Sequence, residues 1–212
     1  MTMNNIGKQL IKLPSIHPEF FQKYRSFADD VWQKGVLSAK EKEIIAVSVT
    51  TVTKCSYCTD FHSKKAKRIG VTTKELVEGV IIATSIETGT ALIPTISTNI
   101  FQTLGVESQE ELLNVLFPDQ YINLHDLLIL PFVDSVGVLP TKLVILISYA
   151  VAHALRSNEY VEKLQTVASK YNVSEIELGE ASLIAAALRA GSTVRHLADV
   201  LDVVDGERSS TV

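Results

Sequence analysis

The chain has 212 residues, 46% hydrophobic and 21% charged, with 20 Lys and Arg against 24 Asp and Glu. A net charge of −4 without a basic stripe lacks the electrostatic footprint of a nucleic-acid binder. Mean hydropathy is +0.20, yet the most apolar run, Leu143–Leu155, is too short to span a bilayer and contains His153. No membrane and no nucleic-acid partner are expected. Met1–Ser15 carries no apolar leader, so a cytoplasmic location is expected. The surplus of apolar residues points to surface covered by further subunits.

No stretch alternates apolar and polar residues, and helical spacing recurs nearly throughout, which predicts an all-α fold. Pro18–Lys34 places Phe20, Phe21, Tyr24, Phe27, Val31 and Trp32 at helical intervals, an aromatic stripe expected in the core, with lining the route to Cys58 as the other reading, and Gly35 stops it. Ser38 with Glu41 is a capping box opening a helix through Val52. Cys55–Ile69 reads as the next helix, ended by Gly70. Thr72 with Glu75 opens another to about Ser85, and a further helix is expected from Gly89 to Leu104. A linker at 107–117 holds a short helix, Gln109–Leu116.

The pattern then restarts. A shift of 102 residues superposes Gly35-Val36-Leu37 on Gly137-Val138-Leu139, Glu75-Leu76 on Glu177-Leu178, and Glu78 on Glu180. Fifteen of 59 ungapped positions from Val31 to Gly89 match, well above chance, and a capping box recurs as Ser174 with Glu177. Two homologous helical halves are therefore expected, 1–106 and 118–205, with a loose polar tail at 206–212. Under the shift Glu43 faces Ile145, Cys55 faces Ser157, Cys58 faces Tyr160 and His62 faces Leu164. One half reads as active and the other as structural.

Cys55 and Cys58 are the only two cysteines, a count that excludes a disulfide scaffold, and their spacing of three suggests redox or metal chemistry. On one helix Cys55, Cys58 and His62 share a stripe. The first turn favours a thiolate, His62 stands one turn beyond Cys58 as a proton acceptor, and Glu43 on the preceding helix would orient the imidazole. The set could chemically hold zinc. Structural zinc sites draw ligands from separated segments, however, and c-type haem needs CxxCH, so no metal and no other cofactor is expected.

Glu43, Cys55-Ser-Tyr-Cys58 and His62, followed by Ala66, Gly70 and Glu75, resemble the alkyl hydroperoxide reductase D-like, or carboxymuconolactone decarboxylase-like, family. The resemblance covers about Pro18–Leu104 and extends weakly to the second half through the repeat. It implies an all-α helical bundle and a cysteine-pair peroxidase. Cys58 would meet the peroxide, Cys55 would resolve it as a disulfide, and His62 and Glu43 would relay protons. It implies a peroxide substrate and a thiol, lipoyl or thioredoxin-like electron donor. Single-copy relatives form rings of six, so a tandem duplication implies a homotrimer, with a dimer as the other option. Family decarboxylases lack the cysteine pair. A non-enzymatic redox-responsive interaction protein on the same fold is the alternative.

Other residues carry less. His153 is expected to be a satisfied core or interface histidine, and His17, His125 and His196 surface or capping groups. Lys64, Lys65, Lys67 and Arg68 read as a solvated face, or as a docking surface for an acidic redox partner.

Overall fold

The structure, a computed structural model, describes residues 3–92, 107–129, 132 and 137–209. Among these the regular elements are helices: α1 (Met3–Ile16), α2 (Pro18–Val31), α3 (Ala39–Val52), α4 (Ser56–Arg68), α5 (Thr73–Ala91), α6 (Gln109–Leu116), α7 (Pro118–Ile129), α8 (Thr141–Leu155), α9 (Asn158–Lys170), α10 (Glu175–Arg195) and α11 (Leu197–Ser209). The three capping boxes are formed, with Ser38, Thr72 and Ser174 accepting from Glu41, Glu75 and Glu177 and those carboxylates returning to the cap backbone. Each satisfies two donors that the helix start would otherwise leave open.

Two helices form the centre. In α3 residues 42 to 50 are buried without a break, and in α8 residues 143 to 152 are. A helix apolar on all sides must be covered on all sides. α3 packs on α4 and α5, α8 packs on α9 and α10, and α3 and α8 pack on each other. One continuous core results, running from Val31 and Ile45 to Ile147 and Leu188. Gly79 lets α5 approach α3 closely, since a Cβ there would meet Ser48 Oγ at 2.5 Å.

The elements recur at an interval of 102. Helices α8, α9 and α10 begin 102 residues after α3, α4 and α5. Left-handed residues precede both α4 and α9, Lys54 at φ 56° and Arg156 at φ 60°. Two carboxylates clasp the arrangement reciprocally. Glu180 accepts from the Leu37 N–H at 2.8 Å, and Glu78 accepts from the Val138 N–H at 2.6 Å. Each packs on the glycine opening the clasped segment, where a Cβ would come within 1.8 Å of Glu180 at Gly35 and 2.1 Å of Glu78 at Gly137. The clasps differ in one respect. Glu180 also pairs with buried Lys42 at 2.5 Å, and Lys42 reaches the carbonyls of Val31 and Gln33. Val144 stands in the corresponding place.

Several expectations are corrected. Helix α2 ends at Val31 rather than Lys34, and α4 begins at Ser56 with Cys55 as its cap. Helix α5 runs past Ser85 to Ala91, so Gly89 lies inside it, and 93–104 of the expected Gly89–Leu104 helix lie outside the described residues. Residues 3–16, read only for the absence of a leader, are helical. The tail expected to be loose from 206 is helical to Ser209. That helix lies against α1, with Lys12 on Asp205 and Asn5 on Asp202. Of the aromatic stripe, Phe21 and Val31 are buried, while Phe20 is 51% and Phe27 36% exposed.

Glu180→Ala strands a buried ammonium that keeps two carbonyl acceptors, and is expected to cost about 2–4 kcal/mol. Glu78→Ala removes an acceptor from backbone N–H groups only, and is expected to cost about 1–2 kcal/mol. Urea unfolding of the two variants side by side checks that order.

Candidate active site

Cys55 and Cys58 are joined as a disulfide across the N-terminus of α4, with Cα atoms 5.2 Å apart. Cys55 is the N-cap, and its Sγ accepts the Cys58 N–H at 3.2 Å. Both residues are buried, but only Cys58 lines a cavity of about 550 Å³. That cavity lies between α1, α2, α4 and α10 and is walled by Leu13, Phe21, Leu188 and Val194. His62, one turn after Cys58, lines it too.

Glu43 sits beneath, its side chain 1% exposed on the buried helix α3. Its Oε2 is 2.8 Å from His62 Nδ1. Its Oε1 accepts from Trp32 Nε1 at 2.5 Å and pairs with Lys65 Nζ at 2.7 Å. Burial pushes the carboxyl up, but hydrogen bonds from His62, Lys65 and Trp32 and the attraction of the His62 ring outweigh it, holding the group below its ordinary 4.5. An ionised carboxylate only accepts, so Nδ1 of His62 carries the hydrogen and Nε2 is the acceptor of the neutral ring. The Trp32 ring lies 5.2 Å from the imidazole, and Lys65 Nζ lies over the same indole at 5.2 Å.

Of the four expected site residues, Cys58 and His62 thus line one cavity, with Cys55 bonded to Cys58 and Glu43 to His62. Trp32 and Lys65 were not assigned to the site. Trp32 is expected in a core stripe or along the route to Cys58, and it lines the cavity with Cys58; Lys65 is expected on a solvated face or docking surface, whereas only Lys64, Lys67 and Arg68 of that cluster are exposed. A usable signal existed: Lys65 stands seven after Cys58 and three after His62, on the same helical stripe. His17, His125 and His196 lie outside the site. His153 lies against Tyr149, and its Nε2 is buried without a hydrogen-bond partner among the described residues, so within the single chain it is not a satisfied core histidine, which leaves the interface reading of the same expectation untouched. Among the described residues no three His, Cys, Asp or Glu side chains converge as a metal-binding group, and no helix is long and apolar enough to cross a membrane.

A second cavity, of about 650 Å³, occupies the equivalent place in the other half. Tyr160, Leu164 and Val167 line it, 102 residues after Cys58, His62 and Lys65, and Ile145 stands where Glu43 does. Tyr160 fills space over Gly89, where a Cβ would come within 1.9 Å of its hydroxyl. The scaffold repeats while the polar chemistry does not.

Residues 18–93 match the model of the carboxymuconolactone decarboxylase family. This segment of the chain belongs to that family. A curated relative, "Uncharacterized protein 4 in cox locus" of Paracoccus denitrificans, is 36% identical over 61 residues, which is 29% of this chain and 55% of the relative. The chain thus spans about half the length of that relative. A crystal structure from Burkholderia xenovorans, described as a candidate gamma-carboxymuconolactone decarboxylase subunit, superposes with a TM-score of 0.74 at 17% identity, covering 98% of this chain and 99% of that one. At that identity the likeness concerns the fold, which the two share over nearly their whole lengths. The carboxymuconolactone decarboxylase match ends at 93, so it takes in Trp32, Glu43, the cysteine pair, His62 and Lys65.

A group held below its ordinary value contributes stability that is present above the unfolded value and lost as pH falls through the folded one. Glu43→Gln is therefore expected to cost about 2–4 kcal/mol at pH 7. The gap from wild type should narrow as pH drops below about 4.5. Urea midpoints of both proteins between pH 3 and pH 7 measure it.

Proposed function

We propose that this protein is a thiol-dependent peroxidase or disulfide oxidoreductase working through Cys58 and Cys55. One observation carries the reading. The cysteine pair opens through Cys58 onto the cavity that His62 also lines, and the far side of that imidazole is anchored on a buried carboxylate. A disulfide switch alone has no need of such a relay. The resemblance carried by the residues from Glu43 to His62 supports the same chemistry.

In the proposed cycle the Cys58 thiolate attacks the distal oxygen of a hydroperoxide and the O–O bond breaks. The alkoxide leaves with a proton, by way of His62 Nε2, and Cys58 becomes a sulfenic acid. Cys55 sulfur then attacks the Cys58 sulfur, the S–O bond breaks, and water leaves after taking a proton. The product is the Cys55–Cys58 disulfide. An external dithiol restores the pair by exchange, giving up two electrons and two protons. In the disulfide form the Cys55 sulfur, at the helix cap, accepts the Cys58 N–H; a sulfur with such a donor at a helix N-terminus is a better-stabilised thiolate. Glu43 holds the ring in one tautomer and offsets the charge it gains, while itself remaining ionised.

Cys58→Ser is expected to abolish peroxide turnover with dithiothreitol as reductant, and Cys55→Ser to accumulate a dimedone-reactive sulfenic acid on Cys58. His62→Ala and Glu43→Gln should each lower the rate about 10²–10⁴-fold while the protein stays folded. Full turnover by Cys58→Ser would remove its role, and unchanged rates in both relay variants would leave a plain dithiol switch.

We also propose that the chain assembles, as a trimer in which six halves make a ring. Exposed Ile11, Ile122, Val138, Ile176 and Val203 are supporting features, each more than half exposed in the single chain. Light scattering should give about 70 kDa, three chains of 23.3 kDa. A mass of one chain would overturn assembly, and a mass of two would replace the ring with a dimer.

A further inference from the structure

Among the described residues Lys65 is the one Lys or Arg in contact with the buried Glu43 carboxylate, at 2.7 Å, and its ammonium lies over the Trp32 indole that donates to the same oxygen. Ordinary lysines on such a helix face stay in water, as Lys67 does two residues on. A second observation is independent of these distances. At the interval of 102, Glu43, His62 and Lys65 become Ile145, Leu164 and Val167, so the lysine disappears together with the carboxylate and the imidazole. By contrast, Lys40 recurs as Lys142, each paired with a cap carboxylate, Glu75 or Glu177. The lysine of the scaffold is repeated; the lysine of the site is not.

We propose that Lys65 is a positioning residue that fixes the charge state of the Glu43–His62 pair, keeping His62 a neutral base beside a buried carboxylate. This rests on the proposed use of His62 as a proton acceptor. A lone buried carboxylate recruits a proton onto an adjacent imidazole, because the ion pair is better than an unbalanced negative charge. With Lys65 in place the carboxylate is already balanced. The ring then keeps Nε2 free to take a proton from Cys58 or a reacting oxygen. Other titratable groups around this cavity are Tyr24, Arg25 and Asp29 on α2, Tyr57 on α4, and Arg195 on α10. Arg195 is paired with Asp199, and none of the five has a hydrogen bond or ion pair to Glu43 or His62. From α1 the cavity receives only Leu10, Leu13 and Pro14.

Two readouts on Lys65→Met test this. The first follows the His62 ring by NMR in the oxidised protein, where no cysteine titrates and no turnover is needed. The protonation midpoint should move up by about one pH unit, an effect usual for losing one neighbouring cation. The second is kcat/KM for a hydroperoxide against pH. Its acid limb should move up equally, so that the variant is about tenfold slower on that limb and approaches wild type at alkaline pH. Lys65→Arg should return both towards wild type, and Lys65→Gln replaces Met if the latter fails to fold. An unmoved midpoint in a folded variant overturns the proposal. A shifted midpoint with no peroxide turnover in wild type upholds it and removes the peroxidase reading. A uniform loss of rate at every pH, with no shift of midpoint, assigns Lys65 to packing alone and also overturns it.

Discussion

A carboxylate inside an apolar helix is the constraint around which this half of the molecule is arranged. Glu43 lies in the unbroken buried run of α3, where an ionised group has no water to rely on. Three donors from two other places in the chain converge on its two oxygens: Trp32 just past α2, and His62 and Lys65 from α4. That convergence fixes where α2 ends and how α4 is turned. It also decides which face of α4 meets the cavity, and so why Cys58 rather than Cys55 lines it. Remove the charge and the same positions accommodate Ile145, Leu164 and Val167, which is how the other half is built.

The two halves thus separate what the scaffold needs from what the chemistry needs. Reciprocal clasps by Glu78 and Glu180, glycines at 35 and 137, and left-handed Lys54 and Arg156 occur twice, and all serve chain direction or packing. The cysteine pair, imidazole, buried carboxylate and site lysine occur once. The halves share one core, because α3 and α8 bury each other and each clasp reaches across. We propose a tandem duplication as the origin, with the second copy retained because the first cannot close its core without it.

Much of this was legible locally. Capping boxes are four-residue patterns, so Ser38, Thr72 and Ser174 announce helix starts without tertiary information. The spacing of Cys55, Cys58 and His62 places them on one stripe, whereas the burial of α3, whose apolar run is only Ile44–Val47, depends on the helices packed around it. What could not be read depends on contacts distant in sequence. Lys65 looks like any surface lysine until a carboxylate 22 positions earlier is brought under it. Helix α11 ends in a polar stretch with Gly206, yet the helix is held against α1 by pairs nearly two hundred residues apart. Phe20 and Phe27 fit helical periodicity but fall on the outer side of α2, since periodicity tells that residues share a helix and not which face meets the core.

The cap position of Cys55 bears on how a redox change would be felt elsewhere in the molecule. Its sulfur already occupies the place that a serine or threonine oxygen takes at other helix starts, and it accepts the Cys58 N–H. On the proposed cycle, opening the bond would leave that acceptor at the cap of α4, whose backbone ladder does not depend on the S–S bond. The outer contour would then change little between the two oxidation states, and the difference would stay with two sulfur atoms, of which that of Cys58 belongs to the cavity wall. A partner that has to distinguish the states must therefore do so by reacting with the sulfur rather than by feeling a shape. Such economy of movement suits a group that is oxidised and reduced repeatedly, and ill suits one meant to signal at a distance.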